Sequence, residues 1–196
     1  ENKYIINCMN TGKLCVFTDN GKMHQIKVQD LPFGKFRDKG LPVDNVSNYD
    51  STQENIVYIC DAEQMRYAGF LFATRQGMIK RVEGEEFQVA KRTIAATKLQ
   101  EEDQVVSVQV LNDNHQVVLK TKEGYFLKFP AEEVPVKKKG AVGVRGIRLK
   151  KKDELERVWL FEEGTECRAV FGEKEVDLGK LKAGKRDGAG TKVRGL

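Results

Sequence analysis

Phe70-Leu71-Phe72-Ala73-Thr74-Arg75-Gln76-Gly77-Met78-Ile79-Lys80-Arg81 reads as strand, tight turn, strand. An apolar run meets a Gly that accepts positive φ, and a half-apolar run follows. The same T-x-x-G occurs at Thr18-Asp19-Asn20-Gly21 and Thr121-Lys122-Glu123-Gly124, with intervals of 56 and 47 residues between the threonines. Leu14–Phe17 and Val117–Leu119 precede those copies, and Tyr125–Phe129 follows the last. A shortened fourth hairpin falls at Cys167–Phe171, Gly172 and Glu175–Leu178.

A second landmark also repeats. Gly140-Ala141-Val142-Gly143-Val144-Arg145-Gly146-Ile147 is echoed by Gly188 to Leu196, with Val144 and Val193 aligned at 49 residues. Tyr4–Met9, Asn55–Cys60, Gln104–Val110 and Leu155–Phe161 supply further strands. About four strands per repeat of roughly 50 residues, without long amphipathic helices, describe an all-β, propeller-type stack of about four blades. The approximate blades are 1–65, 66–111, 112–161 and 162–196 of a single domain, with Pro32–Tyr49 as a polar excursion.

The 196 residues are 40% hydrophobic and 32% charged, which excludes a disordered or collagen-like chain. No apolar run approaches the roughly 18–20 residues of a membrane span. The chain opens at Glu1 inside a patterned segment, as a piece of something longer would. The net charge of +5 is uneven: residues 1–65 carry −2, 66–152 carry +8 and 153–196 carry −1. A basic block inside a folded region points to an anionic partner, nucleic acid first. Cys8, Cys15, Cys60 and Cys167 contain no C-x-x-C pair and read as reduced thiols; a zinc site from Cys8, Cys15 and His24 matches no familiar spacing.

The repeated hairpin, the basic stretch after it and G-x-x-G-V-R-G-I resemble the C-terminal domain of bacterial type IIA topoisomerase A subunits, the gyrase and topoisomerase IV family. The likeness is best over residues 66–152, at Phe70–Arg81 and Lys138–Ile147. It implies a β-pinwheel whose neighbouring blades exchange strands and whose basic perimeter bends or wraps duplex DNA. Family domains have five or six blades; about four are legible here, so the ring is either small or incomplete. The gyrase box Q-R-R-G-G-K-G has no match. Gln88–Lys98 stands at its place in the second repeat, and Gly34-Lys35-Phe36-Arg37-Asp38-Lys39-Gly40 in the first is degenerate. The resemblance therefore leans towards topoisomerase IV-like or divergent members, unless the box lies on another blade.

Phosphate neutralisation by Lys and Arg, with backbone N–H groups in Gly turns, suits a rim that guides DNA without reading sequence. The candidates are Arg75, Lys80 and Arg81; Lys91 and Arg92; Lys122 and Lys128; Lys137, Lys138, Lys139, Arg145 and Arg148; and Lys185, Arg186, Lys192 and Arg194. Arg145 and Arg194 could instead bond a neighbouring blade, and Lys150–Lys152 reads as a solvated turn. Phe17, Phe72, Phe126, Phe129, Phe161, Phe171 and Trp159 read as core, and Glu85-Glu86 and Glu132-Glu133 as exposed turn carboxylates. His24 and His115 have no catalytic partner, and no nucleophile, P-loop or metal motif is present.

The expected role is a non-catalytic domain that guides duplex DNA, with no cofactor or metal of its own. The resemblance implies a parent enzyme that uses ATP and Mg. Its partners would be the ATPase B subunit, the remainder of the A subunit, and duplex DNA, in the bacterial cytoplasm and nucleoid. The competing reading is a β-propeller protein-interaction module with incidental basic charge.

Overall fold

The computed structural model describes residues 2–196. Its strands are β1 Lys13–Thr18, β2 Lys22–Lys27, β3 Ile56–Asp61, β4 Gly69–Thr74, β5 Met78–Glu83, β6 Thr93–Ala95, β7 Val105–Val110, β8 His115–Thr121, β9 Tyr125–Pro130, β10 Val144–Arg145, β11 Leu155–Glu162, β12 Arg168–Phe171, β13 Lys174–Asp177 and β14 Thr191–Lys192. The single α-helical turn among the described residues is Ala62–Met65. The strands form three four-stranded antiparallel sheets, β3-β1-β2-β6, β10-β5-β4-β7 and β11-β8-β9-β14, followed by the two-stranded β12-β13. The fourth unit thus lacks the four strands expected of it. Its last strand, β14, lies in the third sheet.

Each T-x-x-G closes a hairpin with a three-residue loop, one residue longer than a two-residue turn. The Gly N–H donates to the Thr carbonyl at 3.1 Å (Gly21), 2.9 Å (Gly77) and 3.0 Å (Gly124). The glycines then adopt φ of 79°, 82° and 88°, the αL position of this loop type. The threonine recurs because its buried hydroxyl accepts the N–H after the Gly, at 3.2 Å in both Met78→Thr74 and Tyr125→Thr121.

Successive sheets bury one another, so both faces of the central strands are apolar. Phe70 and Phe72 on β4 join Cys15, Phe17 and Met23 of the first sheet, whereas Leu71 and Ala73 join Val117, Leu119 and Phe129 of the third. The period of two along β4 therefore separates two cores rather than core from solvent. Val118, Phe126 and Phe161 continue the stack onto Ala169, Val176 and Leu178 of the terminal hairpin. The aromatics expected in the core are there, with Trp159 and Phe171 half-buried and packed edge-to-face at 5.9 Å.

Tyr4–Met9 does not form the strand expected of it. The Tyr4 hydroxyl reaches Val57 O at 3.2 Å, but Ile5 and Met9 face solvent, so the alternation has nothing to bury and no ladder forms. Pro32–Tyr49 is an exposed excursion holding one 3-10 turn, Val43–Asn45.

Each four-stranded sheet is completed from outside its own hairpin. β6, β10 and β14 each follow the next hairpin in sequence and cross back to pair with β2, β5 and β9. Immediately beyond the pairing, Ala96 N–H donates to Gly21 O (2.7 Å), Gly146 to Gly77 O (2.8 Å) and Val193 to Gly124 O (3.1 Å). These bonds set the true register of the V-R-G landmark. Gly143 is equivalent to Gly190, 47 residues on, and Arg145 to Lys192; the Val144–Val193 alignment is two residues out. The cause is steric. A Cβ on Gly143 would lie 2.5 Å from Ile79 O, and one on Gly190 2.8 Å from Phe126 O, so glycine marks the crossing and the V-R-G letters do not.

Candidate nucleic-acid interface

The strand crossings fix where the basic loops emerge. Residues 88–92, 137–143 and 184–190 each run from a 3-10 turn (Gly84–Phe87, Ala131–Glu133, Leu178–Lys180) to a donated strand. The three loops therefore occupy equivalent places in successive units. The loop at 137–143 closes on a Lys138 O to Ala141 N–H bond of 3.0 Å, and the loop at 184–190 on the equivalent Lys185 O to Gly188 N–H bond of 3.1 Å. Against each lies a glutamate that sequence reading left in solvent. Glu86 Oε1 accepts the Lys139 N–H at 3.1 Å, and Glu133 Oε1 accepts the Arg186 N–H at 3.0 Å. Both carboxylates are half-buried caps. The signal that could have found them is their common spacing of 53 residues to the capped amide.

The sixteen candidates separate by environment. Lys91, Arg92, Lys137, Lys138, Lys185, Lys192 and Arg194 are exposed, and Lys139 is half-exposed. None of these eight makes a side-chain ion pair among the described residues. Lys192 lies over the Tyr125 ring, 5.7 Å from its centroid.

Four others are neutralised by neighbouring acids. Arg75 and Lys122 both reach Glu154, at 3.8 and 2.5 Å, from successive hairpin loops. The Lys122 hydrogen bond, helped by the charges of Lys122 and Arg75, holds the Glu154 carboxyl below its usual range. Arg81 pairs with Asp113 at 2.6 Å and approaches Glu83 at 3.5 Å. Arg145 forks onto Asp187, with Nη2 to Oδ2 at 2.8 Å. That hydrogen bond raises the Arg145 pKa and lowers that of Asp187.

Asp187 ties neighbouring units together. Its N–H donates to Gly146 O (2.8 Å), Arg148 Nη2 donates to its carbonyl (3.3 Å) and Arg186 Nη1 donates to Arg145 O (2.9 Å). Arg145 thus bonds the neighbouring unit, as the alternative reading had it, but through the Asp187 carboxylate and not through a backbone carbonyl. Arg194 does not, because that residue is exposed two positions past the crossing.

Two candidates do not lie on the surface as expected. Lys80 is 1% exposed, inside the fold. Lys128, expected to point outward, is half-buried with Nζ on Gly179 O at 2.8 Å. Both strands have sheets on either face, so alternation sends neither residue to water. His24 also differs from its sequence reading. It is buried, with Nε2 2.6 Å from Glu54 Oε1 and Nδ1 2.8 Å from Thr93 Oγ1, and joins the first hairpin to the donated β6. No cluster of metal-ligating side chains occurs among the described residues, and no helix there is long and apolar enough to cross a membrane.

The repeating T-x-x-G turns fall within the segments that one family model matches. The model for the DNA gyrase C-terminal domain, beta-propeller, matches residues 12–53, 70–112 and 115–158, well over half of the chain. The chain belongs to this family. Among curated relatives, the DNA gyrase A subunit of Lawsonia intracellularis (strain PHE/MN1-00) is 32% identical over 168 residues, covering 85% of this chain and 20% of that protein. The DNA topoisomerase 4 A subunit of Bacillus subtilis (strain 168) is 32% identical over 145 residues, covering 73% of this chain and 18% of its own. The chain thus spans about a fifth of the length of such relatives. In structure it is similar to the C-terminal domain of DNA topoisomerase IV, with a TM-score of 0.88 at 26% identity over 96% of this chain and 60% of that one. The E. coli ParC C-terminal domain shares the fold, with a TM-score of 0.80 at 19% identity over 99% of this chain and 81% of that one.

Proposed function

We propose that this domain binds and bends duplex DNA along the edge formed by residues 88–92, 137–143 and 184–190, as a non-catalytic part of a type IIA topoisomerase A subunit. The supporting observation is recurrence in register. Three loops at equivalent places expose Lys91 and Arg92, then Lys137, Lys138 and Lys139, then Lys185, while acids elsewhere occupy Arg75, Arg81 and Lys122. Lysines free of carboxylates on successive sheets would replace the counterions of a phosphate backbone, giving affinity that falls steeply with salt and is indifferent to sequence.

A duplex held by successive loops follows their edge and so bends. In the parent enzyme this would deliver DNA to a cleavage core on the rest of the A subunit, working with Mg and an ATP-driven B subunit. Those partners, and a place in the bacterial cytoplasm and nucleoid, belong to the same reading.

Binding to a short and a long duplex across a salt titration tests it. The long duplex is expected to bind more tightly, with a salt slope that falls by about three when Lys137, Lys138 and Lys139 are all replaced by Ala. Equal, feeble affinity for both lengths would instead favour a protein-interaction module.

A further inference from the structure

Lys80 is a charged side chain that the DNA reading leaves without a task. Three carbonyls surround its ammonium: Lys138 O at 3.1 Å, Lys139 O at 3.0 Å and Ala141 O at 2.6 Å. All three ammonium protons are therefore taken up by one loop, 58 to 61 residues away in sequence. The remaining charged groups about it are Glu86, whose carboxylate is taken by the Lys139 N–H, and the outward-facing Lys138 and Lys139. Across the hairpin it lies over the Phe72 ring, 5.6 Å from the centroid.

The geometry fixes which way the loop's peptides face. In a trans peptide the N–H points opposite to the C=O before it. With the carbonyls of Lys139 and Ala141 drawn down onto Lys80, the N–H groups of Gly140 and Val142 point away from it. Gly140 is exposed, and nothing lies within 4 Å of where its Cβ would stand. Lys137, Lys138 and Lys139 precede it in the same loop.

We propose that Lys80 is a positioning residue for DNA. From beneath, it holds residues 137–142 in the conformation that offers the Gly140 and Val142 amides, with the flanking lysines, to a backbone phosphate. The proposal rests on the DNA reading above.

The pH dependence separates this role from general support of the fold. Burial lowers the Lys80 pKa from its ordinary 10.5 to about 8, with Glu86 opposing the shift. An unfolded lysine keeps its proton to higher pH, so the unfolded chain binds more protons between these values and stability contributed through Lys80 rises as pH goes from 8 to 10.5. DNA affinity should move the other way, because the neutral amine has one proton fewer for the three carbonyls and no charge beneath the phosphate. The thiols of Cys15 and Cys60 do not confuse this window, since burial pushes both up, Cys15 to about 12.

The experiment measures binding of a mixed-sequence duplex by this chain, by Lys80→Met, by Lys80→Arg and by Lys137→Ala/Lys138→Ala/Lys139→Ala, with denaturation midpoints alongside. The expected result is binding by Lys80→Met weaker by on the order of tenfold at pH 7. Lys80→Arg should keep most of the affinity, and wild-type affinity should fall as pH crosses about 8 while its midpoint does not. Where a Lys80 variant fails to fold, Lys137→Arg/Lys138→Arg/Lys139→Arg serves instead. The three arginines it carries keep their charge throughout this range, so a fall near pH 8 does not come from them. Wild-type affinity for Lys80→Met with a flat pH profile overturns the positioning role while leaving the DNA reading in place. Unchanged binding by the triple-Ala variant overturns both.

Discussion

The second and third sheets present the same loop on different supports. Residues 137–143 and 184–190 share a closing backbone bond, a glutamate cap and a glycine crossing. Beneath the first lies Lys80; at the equivalent place beneath the second lies Leu127, whose Cδ1 would be 2.9 and 3.2 Å from Cβ atoms at Gly184 and Gly188. An apolar support must be met by glycine backbone in van der Waals contact, whereas an ammonium support draws the carbonyls in and turns the intervening amides out. The fold thus keeps the path of the loop while its polarity is set from below, by one residue of the hairpin.

The largest expected effect breaks what the two loops share. Gly143→Ala puts a methyl 2.5 Å from Ile79 O at φ 101°, and should cost about 2–4 kcal/mol in chemical denaturation. Gly140→Ala, with open space and no positive φ, should cost under about 1 kcal/mol. If the two were equal, the crossing would not be fixed at Gly143.

Next in size is the contrast in charge. Replacing Lys137, Lys138 and Lys139 by Ala should weaken DNA binding at moderate salt by about a hundredfold, and replacing Lys185 and Arg186 by about tenfold, since Arg186 already serves Arg145 O. Equal losses in a gel-shift titration would mean that the supports do not matter. Glu86→Ala and Glu133→Ala should each cost about 1 kcal/mol by unpairing one amide, with the former weakening DNA binding more because Lys80 also loses a nearby carboxylate.

The smallest effect sharpens the boundary between the loops. Asp187→Asn removes the acid among Arg145, Arg148 and Arg186 and should tighten DNA binding about twofold, measured at low salt. The Asp187 pKa is lowered by Arg145, so the pair's support is present above the ordinary carboxylate range and is lost as pH falls through the lowered value.

Much of this was legible in the residues. T-x-x-G located three hairpins because a three-residue loop needs αL at one site, and Gly172, at φ 60°, marks the fourth. Strand exchange came only from family likeness, since a two- or three-residue strand such as Val144–Arg145 carries no periodicity of its own. Lys80 and Lys128 were misplaced because alternation assumes one wet face, and these sheets have none over most of their width. Glu86, Glu133 and the His24–Glu54 pair were missed because their partners lie 30 to 53 residues away and only packing brings them together.

The donated strands have a mechanical consequence. Each basic loop ends in a strand laddered to the preceding sheet, so a pull on residues 137–143 would load the two-residue β10–β5 pairing lengthwise, in shear. On the reading proposed above, the recoil of a bent duplex would pass through that pairing into the neighbouring sheet instead of ending in a single loop.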